Sequence, residues 1–209
     1  MKIAILGATG LTGAHVMRRA LEAGHDVRVL ARDPAKVATK HERLSVIRGD
    51  ATKADDCATL VEGCDAVIGT LGPPNLGVTT VRQDAAKAVA QAMKDKGVKK
   101  IVWLSALGVG DNIAQAERTS FLVAMFIKLR LKKTYADADV AEQVLRASGL
   151  DYVLARPPGI TNKKATGVMV EVPEDQKLPR IRCTRDDVAA WMLKAATSST
   201  FDRQAVTIC

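Results

Sequence analysis

The stretch that decides the fold is Lys2-Ile-Ala-Ile-Leu6, which runs directly into Gly7-Ala-Thr-Gly-Leu-Thr-Gly13. A short apolar run that leads into three evenly spaced glycines predicts a buried strand followed by a phosphate-binding turn. Glycine lets the backbone turn tightly, leaves room for a diphosphate and lets the next helix pack close to the strand. That helix ends at Gly24, and its N-terminus directs a positive dipole end toward the anion. Thr9 and Thr12 add hydroxyl donors.

The segment that follows completes a βαβ unit. Asp26 to Ala31 alternates apolar and polar residues and predicts a second strand. Further strand and helix patterns alternate to the end of the chain. The sequence therefore predicts an α/β fold, in which residues 1–209 form a single doubly wound Rossmann domain with a parallel sheet and helices on both faces. A small substrate-side region is expected from residues 106–135 and 157–185.

Composition limits the range of functions. The 209 residues include four cysteines, Cys57, Cys64, Cys183 and Cys209, none in a Cys-x-x-Cys pair, which predicts no metal site and reduced thiols in a cytoplasmic protein. A net charge of +8 comes from scattered basic residues, and only 3% of residues are aromatic, so no nucleic-acid partner is expected. The longest apolar run, Phe121 to Ile127, is far too short to span a membrane, and no membrane partner is expected. A monomer or small homo-oligomer is expected.

The residues after the second strand favour NADP(H) over NAD(H). Arg32 stands where the adenine ribose is usually contacted, and Lys36 lies four residues on in a short helix entered through Pro34. An arginine offers a planar fork to a 2′-phosphate, and the two cations are expected to converge on it. Asp33 is the alternative: if it faces the ribose, NADH is accepted. A third possibility is that these are ordinary surface charges.

Two further turns are predicted at the edge of the sheet where the cofactor would lie. A third strand ends in Gly49-Asp50-Ala51, and Asp50 is expected either to accept from the adenine amino group or to cap the next helix. A fourth strand ends in Leu71-Gly72-Pro73-Pro74, where the backbone is expected to pass close to the cofactor. A fifth strand delivers Ser105 to the same edge.

Ser105 and the segment after it are the candidate substrate-side elements. A hydrolase nucleophile needs Gly-x-Ser-x-Gly, whereas this chain reads Leu104-Ser-Ala-Leu-Gly108. The polar residues 106–120 suggest a mobile flap over the site. Phe121 to Leu131 has a wide apolar face, interpreted first as a core or dimer-packing helix and second as one wall of a substrate pocket.

The glycine spacing, Gly-x-x-Gly-x-x-Gly, resembles that of the extended and atypical short-chain dehydrogenase/reductases. Ordinary members of that superfamily protonate the product with a Tyr-x-x-x-Lys pair. Here Tyr135 and Tyr152 are followed four residues later by Asp139 and Arg156, so neither completes the pair. In those enzymes a serine at the position of Ser105 hydrogen-bonds the substrate.

A closer resemblance, to the biliverdin IXβ reductase/flavin reductase group, covers most of the chain. It rests on Gly7 to Gly13, Arg32 to Lys36, Gly49-Asp50, Leu71-Gly72, Ser105, Ser148 to Pro158, Ala165 to Gly167 and Arg182 to Val188. The resemblance implies that Thr9, Leu11 and Thr12 hold the pyrophosphate, that Arg32 and Lys36 hold the 2′-phosphate, and that Pro157 and Pro158 contact the nicotinamide end. One residue departs from the group: the mammalian flavin reductase has a histidine where Gly159 stands here.

These features predict a reductase that uses NADPH and a planar small-molecule acceptor such as a flavin, a quinone or a tetrapyrrole. Such acceptors delocalise the charge of a transferred hydride, so solvent can supply the proton and orientation becomes the main task of the protein. Two alternatives were considered. A non-enzymatic NADP(H) sensor of NmrA-like type also lacks the dyad. A nucleotide-sugar epimerase or dehydratase shares the glycine spacing but normally keeps the dyad and a larger C-terminal domain.

Overall fold

The secondary structure was taken from a computed structural model, which describes residues 1–72 and 78–209. The strands are β1 (Lys2–Leu6), β2 (Asp26–Ala31), β3 (Leu44–Arg48), β4 (Ala66–Gly69), β5 (Lys100–Leu104), β6 (Asp151–Arg156), β7 (Gly159–Thr161), β8 (Glu171–Val172), β9 (Arg182–Thr184) and β10 (Gln204–Ile208). The α-helices are α1 (Leu11–Glu22), α2 (Ala54–Val61), α3 (Val81–Asp95), α4 (Ile113–Thr119), α5 (Phe121–Phe126), α6 (Lys132–Ala147) and α7 (Arg185–Ala196). Short 3₁₀ turns occupy Pro34–Lys36 and Gly110–Asn112, and a π-helical segment, Ile127–Leu131, joins α5 to α6.

The central sheet has eight strands in the order β3-β2-β1-β4-β5-β6-β10-β8. Neighbouring strands are parallel throughout, except that β10 and β8 are antiparallel. The chain reverses its direction of winding at β1, which has β2 on one side and β4 on the other. In doubly wound sheets, ligands bind in the crevice at this reversal, outside the carboxyl ends of the strands. The predicted Rossmann fold is therefore confirmed.

Helices cover both faces of the sheet because strand residues alternate between them. In β1, Ile3 and Ile5 pack into one core with α1 and α7, whereas Ala4 and Leu6 pack into a second core with α2, α3 and α6. These strand residues are completely buried. Two-sided burial is typical of parallel sheets and explains why β1 is apolar at consecutive positions.

The segment predicted to be a mobile flap contains helical turns and buried polar side chains. Residues 106–120 contain a 3₁₀ turn and α4, and Asn112 and Gln115 are buried. The Thr207 hydroxyl donates to Oε1 of Gln115 at 2.6 Å, and Asn112 donates to the same oxygen at 2.8 Å. Asn112 and Gln115, which have the composition of a solvent-facing loop, thus hydrogen-bond inside the protein, whereas the predicted mobility of the segment stays a prediction.

The Phe121 to Leu131 segment is helical, as predicted, but most of its large apolar side chains are not in the core. Only Ala124 and Ile127 are buried in this segment. Interpreting the face as core packing was therefore wrong for most of its residues.

Candidate cofactor and substrate site

The glycine turn after β1 has the geometry of an anion-binding loop. Gly7 adopts a φ of 85°, a conformation that favours glycine, and the Gly10 amide donates to the Gly7 carbonyl at 2.9 Å. Helix α1 begins at Leu11 with Gly10 as its N-cap, no capping side chain and no acidic residue in its first turn. The first N–H groups of a helix have no partner within the helix, so they are available to an anion.

Gly13 allows the helix to approach the strand closely. A Cβ atom at this position would lie 2.1 Å from the Gly7 carbonyl oxygen. No side chain fits at that distance, so this glycine is required by packing rather than by backbone conformation. The same contact keeps the first turn of α1 against the end of β1, where the diphosphate is expected.

Arg185 lies beside this loop and was not identified from the sequence. Its guanidinium donates to the Thr12 hydroxyl at 2.9 Å and to Oδ1 of Asn162 at 2.8 Å. A cation at the N-terminus of a helix is unfavourable in isolation because it opposes the helix dipole. Here the cation of α7 is directed at the first turn of α1, which places a positive charge next to the anion-binding loop.

A cavity of about 450 Å³ opens beside the loop, and it is called the polar cavity because charged and hydroxyl-bearing side chains form part of its lining. Its lining includes the predicted cofactor residues Gly7, Thr9, Arg32, Asp50, Ala51, Leu71 and Gly72. Ligand pockets commonly measure about 300–1,000 Å³, so this cavity has the right size for part of a dinucleotide. Four strand ends contribute to it: those of β1, β2, β3 and β4.

The ribose-side residues differ in their placement. Arg32 lines the polar cavity, whereas Lys36 is exposed in the following 3₁₀ turn and is not part of the lining. Asp33 caps that turn, because its Oδ1 accepts from the Ala35 amide at 3.1 Å. The carboxylate that would have favoured NADH is therefore engaged with its own backbone.

Asp50 forms a local turn rather than a helix cap. Its Oδ1 accepts from both the amide and the hydroxyl of Thr52, at 3.0 and 2.9 Å, while the N-cap of α2 is Lys53. The hydrogen bond from the Thr52 amide, with nearby Arg32, lowers the pKa of Asp50 despite partial burial. Asp50 thus lines the polar cavity as a carboxylate, and its predicted contact with the adenine amino group stays a prediction.

The N-terminus of α3 is capped from another helix. Thr80, its N-cap residue, makes no side-chain cap, and the buried carboxylate of Asp137 instead accepts from the Arg82 amide at 3.1 Å and the Gln83 amide at 2.9 Å. This contact joins α6 to α3 next to Leu71 and Gly72. The adjacent Pro73 and Pro74, predicted to continue that turn, lie outside the described residues.

Ser105 lies at the end of β5, where the sequence predicted it, but its hydroxyl points to a buried acid. It donates to Oε1 of Glu142 at 2.5 Å. Glu142 is also held by Arg156, whose Nε donates to the same oxygen at 3.1 Å and whose Nη2 bonds the other. The proton of Ser105 is thus engaged, which leaves only its lone pairs for a substrate.

Glu142 and Arg156 form a buried ion pair that the sequence did not predict. Both side chains are almost completely buried, and the guanidinium also bonds Asp111 at 2.6 Å and Glu174 at 3.0 Å. Burial alone would lower the pKa of Arg156, but the hydrogen bonds that its guanidinium donates to Glu142 and Asp111 raise it above its usual value. Both residues stood near the absent dyad in the sequence, but no spacing rule links them.

An apolar cavity of about 360 Å³ adjoins the strand ends on the substrate side. It is lined by Leu107, Leu122, Val123, Phe126, Ile127, Leu131, Tyr135, Pro158, Gly159, Ile181 and Arg182. All of these residues fall within the two ranges predicted for the substrate-side region. Residues of the Phe121 to Leu131 segment therefore do form a pocket wall. Pro158 is part of the lining and Pro157 is not.

Tyr135 is the hydroxyl-bearing side chain in this cavity. Burial raises its pKa, although nearby Arg82 acts in the opposite direction. The side chain is therefore neutral at pH 7 and suited to hydrogen bonding. The residue four positions on, Asp139, is not a cation and therefore does not lower the pKa of Tyr135 as the lysine of the dyad would.

Comparison with known proteins identifies the family. Residues 7–199 match the family described as NAD(P)H-binding. The chain belongs to this NAD(P)H-binding, oxidoreductase-like family, and its resemblance to atypical short-chain dehydrogenase/reductases is confirmed.

Two relatives in sequence illustrate the breadth of the family. An uncharacterized chloroplastic protein of Arabidopsis thaliana is 30% identical over 184 residues, which cover 83% of this chain and 64% of that protein. The uncharacterized sugar epimerase YhfK of Bacillus subtilis is 26% identical over 215 residues, which cover 98% of this chain and 92% of that protein. This chain therefore spans less than two thirds of the plant relative.

Two solved structures share the fold. ChuY of Escherichia coli O157:H7, an anaerobilin reductase, superposes with a TM-score of 0.81 at 22% identity, covering 100% of this chain and 96% of that chain. A short-chain dehydrogenase/reductase of Veillonella parvula in complex with NADP superposes with a TM-score of 0.79 at 19% identity, covering 99% and 93%. At these identities the likeness is one of fold.

Proposed function

We propose that this protein is an NADPH-dependent reductase that transfers a hydride to a conjugated planar acceptor such as a flavin, a quinone or a tetrapyrrole. The observation that carries the proposal is the apolar cavity next to Pro158, at the edge of the sheet that also bears the glycine loop. Planar conjugated rings bury best against such apolar walls. ChuY, which is described as an anaerobilin reductase, has the same fold.

The residues present fit a dinucleotide. Gly13 lets α1 pack directly against the Gly7 carbonyl, where a Cβ would collide, and the first N–H groups of α1, which no side chain caps, are available to a diphosphate. Bound NADPH would supply the hydride. Arg32 would bind the 2′-phosphate, and Asp33 is engaged in its own turn, which favours NADPH over NADH. Lys36 would assist from outside the cavity lining.

The chain contributes orientation more than acid–base chemistry. Pro158 and Leu107 would position the two rings, and the apolar wall would exclude water from one side of the acceptor. A conjugated acceptor delocalises the added charge, and solvent then supplies the proton. Arg182, at the rim of the apolar cavity, would attract an anionic acceptor.

The test is anaerobic oxidation of NADPH and of NADH in the presence of FMN, FAD, riboflavin, short-chain quinones and biliverdin. We expect oxidation that depends on the added acceptor and is faster with NADPH. Tight NADPH binding with no acceptor reduced by any member of the panel would instead favour the second candidate, a non-enzymatic NADP(H) sensor. The exposed apolar residues of α5 are the observation that keeps this candidate open, because a regulator needs a surface for its partner.

A further inference from the structure

The segment from Phe121 to Lys133 presents a solvent-facing apolar surface. Five large apolar side chains are exposed there, with Phe121 at 75%, Leu122 at 68% and Leu129 at 73% of their maximal accessible area. Together, Phe121, Leu122, Met125, Phe126 and Leu129 are called the outward apolar face. Isolated exposed apolar residues are common on soluble proteins, but five neighbouring ones on one helical segment are not.

The arrangement of these residues is that of an interfacial helix. At 100° per residue, the four members of the outward apolar face that lie in α5 span an arc of about 140°, and Leu129 follows in the π-helical segment. The opposite side of the same segment, which includes Ala124 and Ile127, is buried against the protein. The apolar residues therefore point away from the fold rather than into it. The segment is also anchored at its start, because the Ser120 hydroxyl accepts from the Val123 amide.

Cations border the outward apolar face. Lys128 and Arg130 flank Leu129 in the chain, and Lys132 and Lys133 follow at the end of the segment, all of them exposed. Lys128 pairs with Glu117 at 2.5 Å. Within residues 1–72 and 78–209, Arg130, Lys132 and Lys133 make no ion pair. An apolar face flanked by basic residues matches the chemistry of an anionic lipid surface, with acyl chains below and phosphates around.

The apolar cavity connects to this face. Leu122 and Phe126 belong to both, since they line the cavity and are exposed on the surface. The cavity therefore opens where the outward apolar face meets solvent. Docking of this face on a bilayer would direct the mouth of the cavity toward lipid.

We infer that the segment from Phe121 to Lys133 docks this protein on the surface of a bilayer that contains anionic lipid. The occupant is the lipid surface itself, and the protein does not cross it. No helix in the described parts of the chain is long and apolar enough to span a membrane. The inference replaces the sequence-based expectation that a membrane is not a partner, because that expectation considered only spanning segments.

The experiment measures co-sedimentation of the full chain with phosphatidylcholine vesicles that contain 0 or about 30% phosphatidylglycerol, with neither NADPH nor acceptor present. We expect binding to the anionic vesicles, weakened at high salt. Phe121→Ser/Leu129→Ser should reduce the partition coefficient at least about tenfold. Lys132→Gln/Lys133→Gln should also reduce it about tenfold, and only with anionic vesicles.

Matched control variants test whether vesicle binding depends on the outward apolar face and its lysines rather than on any exposed apolar or basic residue. Val46→Ser removes an exposed apolar side chain from β3, and Lys87→Gln/Lys94→Gln removes two exposed lysines from α3. Both controls should bind vesicles as the wild type does. Equal losses in the control variants, or wild-type protein that stays in the supernatant, would overturn the inference.

Sedimentation velocity distinguishes the other occupant of this face, a second copy of the chain. A wild-type dimer that Phe121→Ser/Leu129→Ser converts to monomer, together with absent vesicle binding, would assign the face to self-association. All of these substitutions are at exposed positions outside both cavities, so unchanged thermal unfolding is expected and any loss of binding is attributable to the surface. The binding assay needs no turnover, so its result is independent of the proposed reductase activity.

Discussion

The Ser105 hydroxyl donates a 2.5 Å hydrogen bond to Oε1 of Glu142, and the same carboxylate is paired with the buried guanidinium of Arg156. Three elements meet at this point: the end of β5, the middle of α6 and the end of β6. A carboxylate buried to this degree is stable in the folded state only while its oxygens keep their partners. Ser105 therefore supports the framework of the site and has no proton free for a substrate.

We expect Ser105→Ala to affect stability more than activity. Removing a hydrogen bond to a buried charged group should lower the free energy of unfolding by about 2 kcal/mol, measured by urea denaturation. The kcat/KM for NADPH-dependent reduction should fall less than about fivefold, because no step assigns the proton to this serine. Ser45→Ala, at an exposed serine of β3, is the control and should change stability by less than about 0.5 kcal/mol. Abolished turnover with unchanged stability would make Ser105 a catalytic residue.

Tyr135→Phe tests whether solvent supplies the proton. Burial raises the pKa of Tyr135, so the phenol is a weak acid, and no lysine stands four residues on to activate it. We expect kcat to fall less than about threefold, with an unchanged pH profile, since general acid catalysis contributes about 10²–10⁴-fold where it operates. A hundredfold loss that is accompanied by a lost basic limb of the profile would assign the proton to Tyr135.

Arg32→Ala should weaken NADPH far more than NADH. Arg32 lines the polar cavity, and Asp33 is held by the Ala35 amide. A charge-assisted contact to a 2′-phosphate contributes about 1.5–3 kcal/mol, so the KM for NADPH should rise about 10–100-fold while that for NADH changes little. Lys36→Ala, four residues on but outside the cavity lining, should have a smaller effect. Equal losses for the two nucleotides would contradict the 2′-phosphate assignment.

The sequence predicted best where local pattern and backbone geometry coincide. The glycine pattern of the first turn is a reliable sequence signal, because only glycine can adopt the φ of Gly7 and allow the close approach at Gly13. The central strands β1, β4 and β5 are apolar at consecutive positions, so the sequence identifies them as well. Thr184, a residue type typical of helix N-caps, caps α7 and accepts from the Asp187 amide.

Long-range polar contacts were not predictable in the same way. Asn112 and Gln115 have the composition of a surface loop, and only the fold brings Thr207 to them. Asp186 and Asp187 lie in the first turn of α7, where acidic side chains interact favourably with the helix dipole. In the structure Asp186 also binds Arg19 at 2.7 Å, and Asp187 also accepts from the Gly167 amide at 2.9 Å. Such partners are more than 15 residues apart, and no local pattern specifies them.

Ionisation of Asp186 is expected to make the free energy of unfolding depend on pH in the acid range. Hydrogen bonding from Arg19, followed by contacts with His15 and Arg18, lowers the pKa of Asp186 well below its usual value. A depressed carboxyl pKa stabilises the folded state above the unfolded pKa of about 3.9, and this contribution is lost as pH falls toward the folded value. Asp186→Asn should therefore lower the free energy of unfolding by about 2 kcal/mol at pH 7 and by progressively less below about pH 4.

The measurement is urea denaturation of wild type and variant between pH 3 and pH 7, with Asp175→Asn, at an exposed aspartate, as the control. The control should follow the wild type throughout. A difference between wild type and Asp186→Asn that stays constant across the range would show that ionisation of this carboxylate is not the cause.

Arg185 should bind the part of the cofactor that NADPH and NADH share. Its guanidinium contacts Thr12 in the first turn of α1, next to the expected diphosphate and on a different strand end from Arg32. We therefore expect Arg185→Ala to raise the KM for both nucleotides by a similar factor, about tenfold. By contrast, Arg32→Ala should raise mainly the KM for NADPH. Arg185→Lys should restore part of the loss because it keeps the charge without the fork. Titration of each variant with NADP⁺ and with NAD⁺, followed by fluorescence or calorimetry, measures the dissociation constants of the two nucleotides. A selective loss of the phosphorylated nucleotide would place the 2′-phosphate at Arg185, and unchanged affinities would make Arg185 a purely structural link between α7 and α1.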